Sequence, residues 1–326
     1  MTHAQEIVVG DIGGTHARYA VAEIVDRAVV KLSEPVTLLT RDHVSLAASW
    51  AAFGRMLGRD LPRAVALAVA CPVTGEVLKL TNNPWVIRPG ALKQELGVEA
   101  VTLVNDFGAV GHALSALRPE HYCHLAGPDQ DLPATGVITV IGPGTGLGVA
   151  HVLRQAGHAH VIECEGGHID YAPLDTVEDA ILARLRQRFT RVSAERLVSG
   201  PGLLNLYEAL AAIEGRPVTV RDDKALWALA ASGEDSLASA ALQRFCLSLG
   251  AVAGDLALAQ GASAVVVAGG IVPRIAGMLP NSGFAQRFVA KGRFEMMMAG
   301  MPIKLITYPH PGLLGAAAAF AAAACA

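Results

Sequence analysis

Asn105 and Asp106 stand where the apolar run Val101 to Val104 gives way to Phe107-Gly108-Ala109-Val110. A carboxylate at the exit of a buried strand can take a proton from an alcohol. An amide beside it, which both donates and accepts hydrogen bonds, can orient that alcohol. The plainer alternative makes Asp106 simply the N-cap of the helix that follows. Glu165-Gly166-Gly167-His168 sets a carboxylate and an imidazole on either side of two residues without Cβ, a turn able to aim both at neighbouring hydroxyls of one polyol. Glu195, in Ser193-Ala194-Glu195-Arg196, is a further acceptor or a plain surface carboxylate. Asn82-Asn83-Pro84-Trp85 offers additional amides on a turn stiffened by Pro84. Neutral sugars present little charge and modest apolar area, so a dense, oriented hydrogen-bonding set of this kind is what recognising one requires.

Three glycine-rich exits could handle phosphate. Gly10-Asp11-Ile12-Gly13-Gly14-Thr15 follows the run Ile7 to Val9, and its glycines would let backbone N–H groups approach a phosphate while Thr15 donates a hydroxyl. Asp11 would repel that phosphate unless a Mg²⁺ ion intervened, so Asp11 is a candidate for holding Mg²⁺ through water; no residue is assigned as a direct metal ligand. A glycine-requiring hairpin is the plainer account. Gly142-Pro143-Gly144-Thr145-Gly146-Leu147-Gly148 follows Val137 to Ile141, with Gly144, Thr145 and Gly146 as phosphate contacts or as a tight turn. Ala268-Gly269-Gly270 after Val265 to Val267 could pass along adenine or ribose. The first of these, Gly10 to Thr15, is neither GxxxxGK[ST] nor GxGxxG, so the usual nucleotide-fold signatures do not apply to it. His158, His160, Cys164 and His168 suggest zinc, but their spacing matches no familiar ligand pair.

The elements that would carry these residues read as an α/β chain. Short β-branched runs (Ile7 to Val9, Val65 to Val69, Val101 to Val104, Val137 to Ile141, Val265 to Val267) alternate with helical patterns over Leu46 to Leu57, Thr176 to Phe189 and Leu237 to Leu258. The first strands follow one another without a helix-length interval, so a pure βαβ order fails at the start. The C-terminal LLGAAAAFAAAACA predicts a packed helix whose small side chains permit close approach, being too short and too weakly apolar to span a membrane.

Length and composition narrow the class. The 326 residues suggest two domains; 52% hydrophobic against 17% charged residues excludes disorder. A net charge of −3 without a polybasic tract argues against a nucleic-acid partner. Five cysteines with no CxxC pair, and a start lacking a signal-peptide pattern, point to the cytoplasm. Cys71, Cys246 and Cys325 read as small buried hydrophobes, and Cys164 lacks the base a nucleophile would need.

Together the segments GDIGGTHAR, ACPVTG, TNNPW, LVNDFGAV, GPGTGLGVAH, EGGHIDYAP, VSAERLVSGPGLLNLY, VAGGIVPR, KGRF and HPGLLG resemble the bacterial glucokinase family of the hexokinase, actin and sugar-kinase superfamily along nearly the whole chain. That resemblance implies a two-domain actin-like ATPase (ribonuclease H-like) α/β fold with a central cleft, in a homodimer. The small domain would be 1–110 plus 301–326, and the large domain 111–300. It implies transfer of the γ-phosphoryl group of ATP to the 6-hydroxyl of D-glucose, with Mg²⁺. Asp106 would be the catalytic base, and Asn105, Glu165, His168 and Glu195 would bind glucose. Gly10 to Thr15, Gly144 to Gly146 and Gly269-Gly270 would face ATP. His16 and Cys164 depart from the asparagine and glycine the family often has there. A related hexose or amino-sugar kinase and a sugar-binding regulator are the alternatives; the missing DNA-binding extension and zinc cysteine pattern weigh against the regulator.

Overall fold

The computed structural model describes residues 4–80 and 83–323. They form two compact units, Met1–Arg118 with Val161–Glu163 and Tyr308–Ala326, and Pro119–His160 with Cys164–Thr307.

The first unit holds β1 (Ala4–Ile12), β2 (His16–Val25), β3 (Ala28–Leu32), β4 (Val36–Leu39), β5 (Ala64–Val69), the ribbon β6 (Leu78–Lys79) and β7 (Val86–Ile87), and β8 (Ala100–Asn105). Its sheet runs β3-β2-β1-β5-β8, with β4 also paired to β2. The order follows from the spacing. Strands joined by a few residues fold back antiparallel, as β1 does on β2, whereas the helix Leu46–Leu57 between β4 and β5 allows a crossover that sets β5 parallel to β1. All six residues of β5 are buried, as a central strand covered on both faces requires. Trp50 and Phe53 of that helix pack with Tyr19 on one face. The helix Pro311–Ala323 packs with Ile7, Val9 and Ala66 on the other.

The second unit contains β9 (Tyr122–Ala126), β10 (Gly136–Pro143), β11 (Leu147–Gln155), β12 (His158–Cys164), β13 (Ala262–Val267) and β14 (Ile303–Ile306), in the order β12-β11-β10-β13-β14-β9. This repeats the first sheet's plan. β10, like β1, is antiparallel to the strand after it and parallel to one arriving from a helical crossover, and β13 and β14 are parallel as β5 and β8 are. The helix Ser236–Ala259 is long and apolar enough to cross a membrane by length and composition, yet 72% of its apolar stretch is buried in this unit's core.

Several boundaries differ from the sequence expectation. β14 pairs with β13, so residues 301–307 belong with the second sheet rather than with the C-terminal tail. The helix after Asn105 keeps everything to Arg118 with the first unit, and Val161–Glu163 joins it as well. The helix expected to reach Phe189 ends at Leu185.

Candidate functional site

Asn105 ends β8 in extended backbone, and Asp106 is the first residue of the helix Asp106–Ala113. The capping role belongs to Asn105, which corrects the reading of Asp106 as an N-cap. Asn105 Oδ1 accepts the N–H groups of Phe107 at 2.9 Å and Gly108 at 3.1 Å, while its Nδ2 donates to the Cys71 carbonyl at 3.3 Å. Towards a ligand, Asn105 is therefore a donor, because its amide oxygen is spent on the helix. One Asp106 carboxylate oxygen also accepts the Phe107 N–H at 2.9 Å. The helix is fixed from the side by Gly315, where a Cβ would fall on the Ala109 carbonyl oxygen. The alanine-rich C-terminal helix thus approaches the Asp106 helix backbone to backbone, as its small side chains predict.

The Asp11 segment is the tip of the β1–β2 hairpin. Asp11 lies directly across from Arg18, whose guanidinium is 3.4 Å from its carboxylate. Burial pushes the Asp11 carboxyl above the usual carboxylate range, opposed by Arg18, His310 and His16. Gly10 and Ile12 are buried. A Cβ at Gly10 would meet Leu67 Cδ2 at 2.6 Å, so this glycine serves sheet packing and neither residue presents surface to a phosphate. Gly13, Gly14 and Thr15 form the accessible tip, held by Gly13 N–H to the His16 carbonyl at 2.9 Å and Thr40 Oγ1 to the Gly14 carbonyl at 2.7 Å. Asn83 also braces it, donating to the Gly13 carbonyl at 3.3 Å and accepting the Trp85 N–H at 2.8 Å. The amide proposed as a sugar contact is thus used in the fold; Asn82 lies outside the described residues, as does Cys325.

In the second unit Glu165, His168 and Glu195 converge. His168 Nε2 stands 4.0 Å from a carboxylate oxygen of each of the two glutamates. The two glycines between Glu165 and His168 are required because this turn lies flush on β11: a Cβ at Gly167 would land on the Leu147 carbonyl, and one at Gly166 would sit 2.9 Å from Val149 Cβ. Glu195 is brought alongside by the Tyr171 N–H to Val192 and Ala194 N–H to Ile169 bonds at 3.0 and 2.9 Å. It is no plain surface carboxylate, because Oε2 accepts the Leu147 N–H at 2.9 Å. Its carboxylate also fills the space where Gly146 would carry a Cβ.

That last contact joins the sugar candidates to the second glycine turn. Gly144, Thr145 and Gly146 are the tip between β10 and β11, closed by the Gly144 N–H to the Gly146 carbonyl at 2.8 Å. Gly269 sits beside it at φ +100°, with no room for a Cβ because Pro143 O would be 2.5 Å away. A partner missed in the sequence is Gly200, whose N–H donates to the Gly144 carbonyl at 2.8 Å. It opens the helix Gly200–Glu214 after the N-cap Ser199, and the SGPG motif was its signal.

Among the described residues no three or more His, Cys, Asp or Glu side chains are grouped to hold a metal ion. His158, His160 and Cys164 are strung along β12, and the Cys164 thiol donates to the Val149 carbonyl at 3.5 Å. Cys71 and Cys246 are buried and stand outside any disulfide; burial pushes the Cys246 thiol up to about 11.

Two mixed sheets built on one repeated plan, with glycine hairpin tips and a strand-end Asn-Asp pair, define an α/β sugar-kinase architecture of the kind consistent with the actin-like ATPases. The glucokinase family model matches residues 8–323. The chain is 62% identical over 316 residues to the glucokinase of Zymomonas mobilis subsp. mobilis, covering 97% of this chain and 98% of that one. The crystal structure of a glucokinase from an Antarctic psychrotroph superposes with a TM-score of 0.83 at 34% identity, covering 96% and 98% of the two chains. A ROK-family glucokinase from Streptomyces griseus, in complex with glucose and AMPPNP, shares the fold at a TM-score of 0.63 and 18% identity over 96% of this chain and 98% of that one. The chain belongs to the glucokinase family, and it is an ATP-dependent enzyme that phosphorylates glucose.

Proposed function

We propose that this chain phosphorylates glucose at the 6-hydroxyl with Asp106 as the base. The observation that carries the reading is the division of labour at the start of the Asp106 helix. Asn105 caps the helix with its side-chain oxygen, so capping does not account for an acidic residue at the next position. In the proposed step Asp106 accepts the proton of the 6-hydroxyl as its oxygen bonds to the γ-phosphorus and the bond to the departing ADP breaks. Glu165, His168 and Glu195 accept and donate to the other hydroxyls, and Asn105 Nδ2 donates to one. The transfer requires that water, a competing nucleophile, be kept from the γ-phosphorus.

On the nucleotide side we assign Gly13, Gly14 and Thr15, Gly144, Thr145 and Gly146, and Gly269 and Gly270. Asp11 is the one carboxylate at the first tip. A single carboxylate suits a Mg²⁺ ion held mostly by phosphate oxygens and water, which would supply charge neutralisation on the phosphates when bound. A cytoplasmic setting agrees with ATP use and with the described cysteines standing outside any disulfide. A homodimer is supported by the exposed apolar run of Phe294, Met296 and Met297, and sedimentation analysis tests it.

The experiment is a coupled ADP-release assay across glucose, mannose, fructose and N-acetylglucosamine, with identification of the phosphorylated carbon. Greater efficiency with another sugar, or a phosphate elsewhere than on carbon 6, would overturn the assignment.

A further inference from the structure

A helix that starts with a capping box draws two bonds from its own first turn: the N-cap side chain accepts the N–H of the third helical residue, and a Glu or Gln at that third residue reaches back to the N-cap N–H. The Asp106 helix has the first half of this device. Asn105 Oδ1 accepts the Gly108 N–H at 3.1 Å. The third residue, however, is Gly108, which has no side chain to return the bond.

The missing half comes from 55 residues further along the chain. Glu163 Oε1 accepts the Asn105 N–H at 2.8 Å. The Glu163 carboxyl group also occupies the place where a side chain on Gly108 would begin: a Cβ there would fall on Oε1 and lie 2.8 Å from Cδ. Glycine at 108 and glutamate at 163 are therefore complementary, one vacating the space that the other's carboxylate fills. Val161–Glu163 groups with the first unit, although β12, to which it belongs, is hydrogen-bonded into the second sheet. Glu165 follows two residues later and His168 three beyond that.

We propose that Glu163 is a positioning residue for phosphoryl transfer, completing from a distant segment the capping box that orients Asn105 and Asp106 and anchoring the chain just before Glu165. The inference rests on the reading of Asp106 as the base. A bond to the backbone N–H of Asn105 fixes the Val104–Asn105 peptide, which leads directly into Asn105 and lies one peptide ahead of Asp106, and positioning errors of about 1 Å cost up to a hundredfold in rate. Because Glu163 is exposed and makes this bond with a side chain alone, its removal leaves the sheet and helix packing in place.

The test compares Glu163→Ala, Glu163→Gln and Asp106→Asn by single-turnover glucose 6-phosphate formation, by steady-state kcat and KM for both substrates, and by thermal unfolding. Glu163→Ala is expected to lower the single-turnover rate roughly tenfold, the weight of one charge-assisted hydrogen bond, with KM for ATP unchanged. Glu163→Gln, which keeps an acceptor oxygen, should stay within about threefold of the parent. A double variant, Gly108→Glu with Glu163→Ala, restores the box locally while releasing the anchor. It should recover stability but leave KM for glucose raised. If Glu163→Ala lowers Tm and leaves the single-turnover rate unchanged, Glu163 is only a helix cap and the proposal fails. Full recovery of KM for glucose by the double variant would refute the anchoring half. Near-normal chemistry in Asp106→Asn sinks the base assignment instead, so the two failures are distinguishable.

Discussion

Asp106→Asn separates chemistry from structure because of where Asp106 sits. The residue is at the first helical position, behind a cap already supplied by Asn105, and its carboxylate accepts the Phe107 N–H at 2.9 Å, a bond an amide oxygen can keep. At the helix itself, stability loses the favourable placement of a negative charge at the N-terminus, about 0.3–1 kcal/mol. For a chain of this size that corresponds to a Tm shift of no more than about 4 °C. Chemistry loses a general base, typically worth about 10² to 10⁴ in rate, or about 3–5.5 kcal/mol on the barrier. The neighbouring Asn105→Ala should show the opposite balance in stability, since deleting the cap's two accepted bonds costs about 1–2 kcal/mol of folding free energy. Single-turnover phosphoryl transfer, calorimetric glucose titration and thermal unfolding of both variants give the comparison. Asp106→Asn with turnover within a factor of a few of the parent, correctly folded and glucose-binding, would refute the reasoning.

The two nucleotide-side glycines should respond differently to added bulk. No atom lies within 4 Å of a Cβ on Gly144, so Gly144→Val should fold normally, raise KM for ATP and leave glucose affinity untouched; Gly269→Val, at φ +100° and against Pro143, should fail to fold or lose several degrees of Tm. Asp11→Asn should raise Tm at neutral pH while weakening ATP use. The folded carboxyl titrates above its unfolded value, so the native state binds its proton more tightly and stability falls as pH rises from about 4 through the raised folded value. Unfolding of parent and variant across that window checks the sign, and a parent that gains stability there through Asp11 would contradict it. Gly315→Ala places a methyl on the Ala109 carbonyl, an overpacking cost of about 1–3 kcal/mol, and should lower Tm and turnover together through the displaced Asp106 helix.

The amino-acid sequence by itself determined the elements with strong local grammar. The Leu46–Leu57 helix is legible to the residue because its apolar spacing is bracketed by Ser45, which caps it, and Gly58 at φ +68°, which ends it. The β-branched runs marked β1, β5, β8, β10 and β13, and the motif residues Asp106, Glu165 and His168 stood out by type and spacing, whereas Glu195 stayed open between an acceptor and a surface carboxylate until the family resemblance gave it a role. The helix Gly200–Glu214 did not, because two glycines and a proline crowd its first turn and mask the periodicity behind them. Only the tertiary structure decided what depends on partners far apart in the chain. Sequence reading gave the cap to Asp106, and the structure gives it to Asn105, whose amide and N–H are held in the capping position by Cys71 and Glu163. Gly10 read as a phosphate glycine until Leu67 and Tyr19, brought against it by sheet pairing, gave it a packing reason. The short run Ile303–Ile306 has too little pattern to choose a sheet, and its parallel ladder with β13 made the choice. Period and capping are properties of neighbours in sequence, whereas contact and burial belong to residues that meet only when the chain has folded.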